Sequence, residues 1–305
     1  NAADYPNKPI HLIVGFIPGS SADITARVLG NRMSQLLGQQ IVVENKPGAG
    51  SSLAAEYVAR SPKDGYTLFI GSSANITNAA INPKLSFDMV KDFAPVALVN
   101  STAVILVAHP SVGVSSLKEL IALAKQKPGE LSYATTGRGR ITHLTMELLQ
   151  DRAGIKMQMI PYTGGPAAAM ADLATGRVAV VLEGYSGLAG GLNGGAIKGI
   201  AVASHNRLDD FKDLATVAET LPGFFAGGWN VLLAPVGTPD AIIQKASADL
   251  RKALDEAEVK AKLGALGAYL HPMTPTEVVA FAEEQQRTWR PVAERIAKQA
   301  AEQSK

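Results

Sequence analysis

Apolar residues along the chain follow two rhythms. Short β-rich runs occur at 10–14, 41–43, 67–70, 104–107, 131–134, 157–161, 178–182 and 200–203, and each reads as a strand. Between them lie stretches with three-to-four spacing. The clearest covers Ala22 to Leu37, where Ile24, Val28, Leu29, Met33, Leu36 and Leu37 fall on one helical face and Gly38 closes the helix. Ser115 and Ser116 open another helix with Glu119 close behind, and it ends before Pro128–Gly129. Thr238-Pro239-Asp240 starts a third, with Pro239 at the first-turn position. From Ala241 the pattern is mostly helical, broken at Gly264, Gly267 and Pro272, with a last helix from about Pro275. Strands alternating with helices predict an α/β architecture with mixed, mostly parallel sheets.

Length changes this picture by implying two bodies. A chain of 305 residues exceeds the size at which one core usually keeps growing, so two lobes of roughly 150 residues are expected. Candidate crossings are Val99–Thr102, between two strand-like runs, and the glycine-rich Pro222–Gly228. They place residues 1–100 with 226–305 in one lobe and 101–225 in the other, joined by a hinge.

Charge and composition narrow the function classes. The 29 basic and 27 acidic residues are interleaved, with no basic run long enough to follow a phosphate backbone, which argues against nucleic acid. There is no cysteine, hence no disulfide frame and no thiolate metal site. The apolar runs are far shorter than the ~18 residues of a membrane span. The chain begins with Asn1 rather than Met, which reads as a mature or trimmed form compatible with export.

Enzyme signatures fail in turn. The five histidines are scattered, with no metal-ligand spacing, and read as surface or packing residues. Gly184-Tyr185-Ser186-Gly187 lacks the glycine that a nucleophile elbow needs at Leu188. Gly137-Arg138-Gly139 would need a third glycine at Thr142, and no Gly-Lys-Ser/Thr phosphate loop occurs. No cofactor and no metal is therefore expected.

What remains is a device used twice. After the first run comes Gly15-Phe16-Ile17-Pro18-Gly19-Ser20-Ser21-Ala22-Asp23, and after the fifth comes Thr136-Gly137-Arg138-Gly139-Arg140. In both, a strand passes through a glycine turn into a helix whose first turn presents unpaired N–H groups with partial positive charge. Such turns can clamp a small anion, although a plain turn and cap would look the same. Arg138 and Arg140 add forked guanidinium groups suited to a carboxylate. Ser73 and Asn75 follow the third run, and Tyr162, Thr163 and Gly164 follow the sixth. All follow strands, where ligands of open α/β sheets bind. Phe16 is the candidate apolar wall.

Several ordered motifs then coincide with a known family. Tyr5-Pro6-Asn7-Lys8-Pro9-Ile10, the Pro18-Gly19 turn with Asp23, Val43-Glu44-Asn45-Lys46-Pro47-Gly48-Ala49-Gly50, Pro62-Lys63-Asp64-Gly65-Tyr66-Thr67-Leu68, and Leu232-Leu233-Ala234-Pro235-Val236-Gly237-Thr238-Pro239 resemble the Bug family. These are periplasmic solute-binding proteins of tripartite tricarboxylate transporters. The resemblance implies a two-lobe Venus-flytrap fold, a periplasmic location, no catalysis, and a monomer that delivers a small organic acid to membrane transporter subunits. It also implies that Gly19–Asp23 and Thr136–Arg140 hold one ligand carboxylate. Glu183 stands where the family often meets a ligand ammonium. Ser20 and Arg140 depart from the family's usual glycine and its small Ser or Thr. With Arg138 or Arg140 on a second acidic group, a dicarboxylate is favoured, aromatic ones included. A sensor that presents a carboxylate to a membrane signalling partner is the alternative.

Overall fold

The computed structural model describes residues 2–82, 84–135, 137–162 and 166–305. Among these the chain runs β1 (Ile10–Val14), α1 (Ser21–Leu37), β2 (Ile41–Asn45), α2 (Ser52–Ala59), β3 (Thr67–Ser72), α3 (Ser73–Ile81), β4 (Phe93–Ala108), α4 (Leu117–Gln126) and β5 (Ser132–Thr135). It continues α5 (Ile141–Ala153), β6 (Gln158–Pro161), α6 (Pro166–Ala174), β7 (Val180–Gly184), α7 (Tyr185–Asn193), β8 (Lys198–Val202) and β9 (Gly227–Pro235). α8 (Asp240–Leu254), α9 (Ala257–Gly264), β10 (Ala268–Tyr269) and α10 (Pro275–Gln303) complete it.

The chain divides into two units. The first holds the residues up to Ser101 with Trp229–Arg295, and the second holds Thr102–Gly228 with Ile296–Lys305. In the first, β1 pairs in parallel with β2 and β3, and β9 joins β3 antiparallel. β1 is buried along nearly its whole length, as expected of a parallel strand covered on both faces. Its Ile10, Leu12 and Val14 meet Ala26, Leu29 and Met33 of α1 and Ile243, Ala246 and Leu250 of α8 in one core. In the second unit, β5 pairs in parallel with β6 and β7, while β4 runs antiparallel to β7 and β8. Tyr133, Leu144, Leu149, Val180 and Val181 are buried there.

Some sequence expectations shift. The apolar face of α1 is rotated: Ala22, Thr25, Ala26, Leu29 and Met33 are buried, whereas Ile24 is 38% exposed. Small residues let the helix come close to β2, where a Cβ on Gly30 would lie 3.3 Å from Ile41. Val99–Thr102 lies inside unbroken β4 rather than between two strands. The buried polar residues there are satisfied sideways, Asn100 by the Asn230 amide at 2.8 Å and Ser101 by His271 at 3.2 Å. Pro239 precedes α8 as its N-cap, in extended rather than helical conformation.

Candidate functional site

In the first unit, parallel pairing brings the C-terminal ends of β2, β1 and β3 to one edge. The turn after β1 is held from within. Gly19 has φ +85°, a region that favours glycine, and its N–H donates to Asp23 Oδ2 at 2.9 Å. Asp23 Oδ1 accepts from the Asn45 amide at 2.9 Å, which also donates to the Phe16 carbonyl at 2.9 Å. Arg27 Nε closes the set on both carboxylate oxygens at 3.1 Å. Ser20 is the N-cap of α1, accepting from the Asp23 N–H at 3.3 Å. Burial alone would raise the Asp23 carboxyl, but the Gly19 N–H, the Asn45 amide and Arg27 together hold it below its ordinary range. The helix leaves the N–H groups of Ser21 and Ala22 without intrahelical acceptors.

The neighbouring loops lock onto this turn. Gly48, Ala49, Gly50 and Ser51 all have positive φ, and a Cβ on Gly15 would collide with Ser51 Oγ. Asn75 is fully buried: its carbonyl oxygen accepts from the Ser72 N–H at 3.0 Å, and its amide donates to the Ser51 carbonyl at 3.3 Å. Asn75, a candidate ligand contact, is thus a brace. Ser73 opens α3 half-exposed. Phe16 is half-buried against the core of its own unit, so it does not project as a free wall. Its neighbour Ile17 is 64% exposed and is the apolar side chain the turn offers.

In the second unit, β6, β5 and β7 again end at one edge. Thr136, Thr163 and Gly164 lie outside the described residues. Gly139 has φ +78°, and its N–H donates to His143 Nδ1 at 3.0 Å. Arg140 is the N-cap of α5 with no side-chain cap bond, and no acidic residue occupies the first turn of this helix. The Arg140 stem folds over Gly137, where a Cβ would come within 2.7 Å of Cδ. The side chains of Arg138 and Arg140 are exposed, with no hydrogen bond or ion pair to a described residue. Thr142, at the second helical position, is 8% exposed, and its hydroxyl has no partner among the described residues.

His143 is 3% exposed, and its Nε2 lies 3.8 Å from Glu147 Oε1, which accepts from the Tyr133 hydroxyl at 2.7 Å. Burial, aided by Arg138 and opposed by Glu147, holds the imidazole pKa below its ordinary value. Tyr162 is committed elsewhere: its hydroxyl donates to Asp172 at 2.6 Å, and burial with that bond pushes its pKa up to about 12. Half-buried Glu183, near the end of β7, accepts from the Gly184 N–H at 2.9 Å. Among the described residues no group of His, Asp or Glu is placed to hold a metal, and no helix is long and apolar enough to cross a membrane.

The sequence reading missed Asn45, Ser51 and the bracing role of His143. The signal was present in Glu44-Asn45-Lys46-Pro47-Gly48-Ala49-Gly50, a glycine-rich stretch directly after a strand. A further signal was the shared spacing Gly19 to Asp23 and Gly139 to His143.

Residues 25–298 match the family described as "Tripartite tricarboxylate transporter family receptor" (TctC). The chain is 35% identical over 293 residues to Protein BugT of Bordetella pertussis, covering 95% of this chain and 89% of that protein. Among solved structures it is 31% identical to Rpa4515 of R. palustris with adipate, at a TM-score of 0.71, covering 97% of this chain and 99% of that one. It is 30% identical to MatC of Rhodopseudomonas palustris with bound malate, at a TM-score of 0.68 and coverage of 95% and 100%.

Proposed function

The chain belongs to the tripartite tricarboxylate transporter receptor family, whose members are solute-binding receptors rather than enzymes, and we propose that it captures a small dicarboxylate in the periplasm. Acting as a monomer, it delivers this ligand to the membrane subunits of such a transporter. One carboxylate engages the helix N-termini at Gly19–Asp23 and at 137–140, and the second engages Arg138 or Arg140. The observation that carries this reading is the pair of exposed guanidinium groups that have no partner among the described residues, set on a glycine turn before a helix whose N-cap makes no side-chain cap bond. Relatives solved with adipate and with malate support the ligand class.

The magnitudes require more than backbone. A helix N-terminus contributes ~0.3–1 kcal/mol towards an anion, up to ~2 in protected geometry. Micromolar capture needs about 8 kcal/mol. A charge-assisted hydrogen bond adds about 1.5–3 kcal/mol, and exposed Ile17 supplies apolar contact.

Calorimetry on refolded, ligand-free protein tests the assignment. Arg140→Ser is expected to weaken adipate by at least about tenfold, the loss of one charge-assisted bond. Hexanoate, which lacks the second acid, is expected to be much less affected. Equal loss for both acids, or loss for neither in this variant and in Arg138→Ser alike, overturns the dicarboxylate reading.

A further inference from the structure

We propose that His143 is a positioning residue that makes ligand capture sensitive to pH: its neutral imidazole holds Gly139 in the left-handed turn before α5, and protonation releases that turn. The link to affinity rests on the function proposed above; the turn itself does not.

The geometry sets the tautomer. Because Gly139 N–H donates to Nδ1 at 3.0 Å, Nδ1 carries no proton and the ring hydrogen is on Nε2. An imidazolium carries N–H on both nitrogens, so it cannot accept from Gly139 and instead sets two donors against each other. The ring is 3% exposed, so water does not replace the lost acceptor cheaply.

The charged and titratable groups around the ring are few among the described residues. Glu147, one turn further along α5, lies 3.8 Å from Nε2, beyond hydrogen-bond distance, and already accepts from Tyr133 on β5. Arg138, in the turn, repels a charged ring. β7, also packed on α5, carries Glu183, whose carboxylate accepts from the Gly184 N–H. Burial and Arg138 outweigh Glu147, so the ring stays neutral at neutral pH and takes its proton only on acidification. The corresponding Asp23 cannot switch in this range, because its carboxyl is held below an already low value.

Two measurements on the full chain test this. In ¹⁵N–¹H spectra recorded from pH 8 to pH 5, the Gly139 amide is expected to move with the His143 ring, with one midpoint below 6.5. In calorimetry with adipate, the affinity of the natural chain relative to His143→Asn is expected to fall about tenfold over that range, one hydrogen bond's worth. The asparagine carbonyl accepts from Gly139 at every pH, and the ratio cancels protonation of adipate itself. A Gly139 amide that ignores the ring's titration, a ring charged at pH 7, or a constant or rising affinity ratio overturns the proposal. If neither adipate nor malate binds the natural chain at any pH, the dicarboxylate reading fails, while the Gly139 titration still decides the switch.

Discussion

The turns before α1 and α5 share one backbone design and differ in the chemistry that secures it. Each places a glycine with positive φ one residue ahead of the N-cap, and each secures that glycine's N–H on the side chain at the third helical position. Before α1 the acceptor is the buried, ionised Asp23, joined by Asn45, Arg27 and the Ser20 cap. Before α5 it is neutral His143, the N-cap is Arg140, and no acidic residue lies in the first turn. The first turn thus contains its own anion and spends part of its positive potential on it. Under the function proposed above, the second leaves its potential and two guanidinium groups for a ligand. Rigidity and charge are divided between the two.

Removing the stronger brace has the largest expected effect. Asp23→Ala leaves the Gly19 N–H, the Asn45 amide and Arg27 without their shared acceptor, at an expected cost of about 3 kcal/mol in urea unfolding. A loss below about 1 kcal/mol means that the network does not hold the turn.

The acid response separates the two acceptors. The folded His143 pKa lies below 6.5, so the unfolded chain binds the extra proton. Its contribution is therefore complete above about pH 6.5 and lost as the pH falls through the folded value, at roughly 1–2 kcal/mol. The Asp23 contribution, from a carboxyl whose folded value is also depressed, persists to about pH 4 and disappears below it. Urea midpoints measured against pH are expected to show two steps, and His143→Asn to remove only the upper one.

Much of this scaffold is legible in the chain because it is local. β1, the limits of α1 and the Gly38 cap at φ +70° follow from periodicity and glycine placement. The glycine turns after β1 and β5 are visible for the same reason. The buried face of α1 is not, because closeness to β2 selects Ala22, Ala26 and Gly30 over the larger Ile24. β9 and the continuity of β4 also escape, since their polar Asn230, Asn100 and Ser101 become strand residues only once they find partners. The braces escape for a related reason. Asn45, Asn75 and His143 look like ordinary polar residues until folding brings an N–H or carbonyl within reach.

The smallest expected effect concerns the caps. Ser20→Ala removes a cap hydroxyl and is expected to cost about 1 kcal/mol. Arg140→Ser supplies one where α5 has none and is expected to add about 0.5–1 kcal/mol, even as it weakens adipate. Thermal melts with and without adipate resolve both signs.

The most direct test of a ligand held by both turns is an adipate titration followed by ¹⁵N–¹H spectra of the full chain. The amides of Ser21 and Ala22 and those of Ile141 and Thr142 are expected to shift together, along curves giving one dissociation constant. Shifts confined to one turn, or two unequal constants, would contradict it.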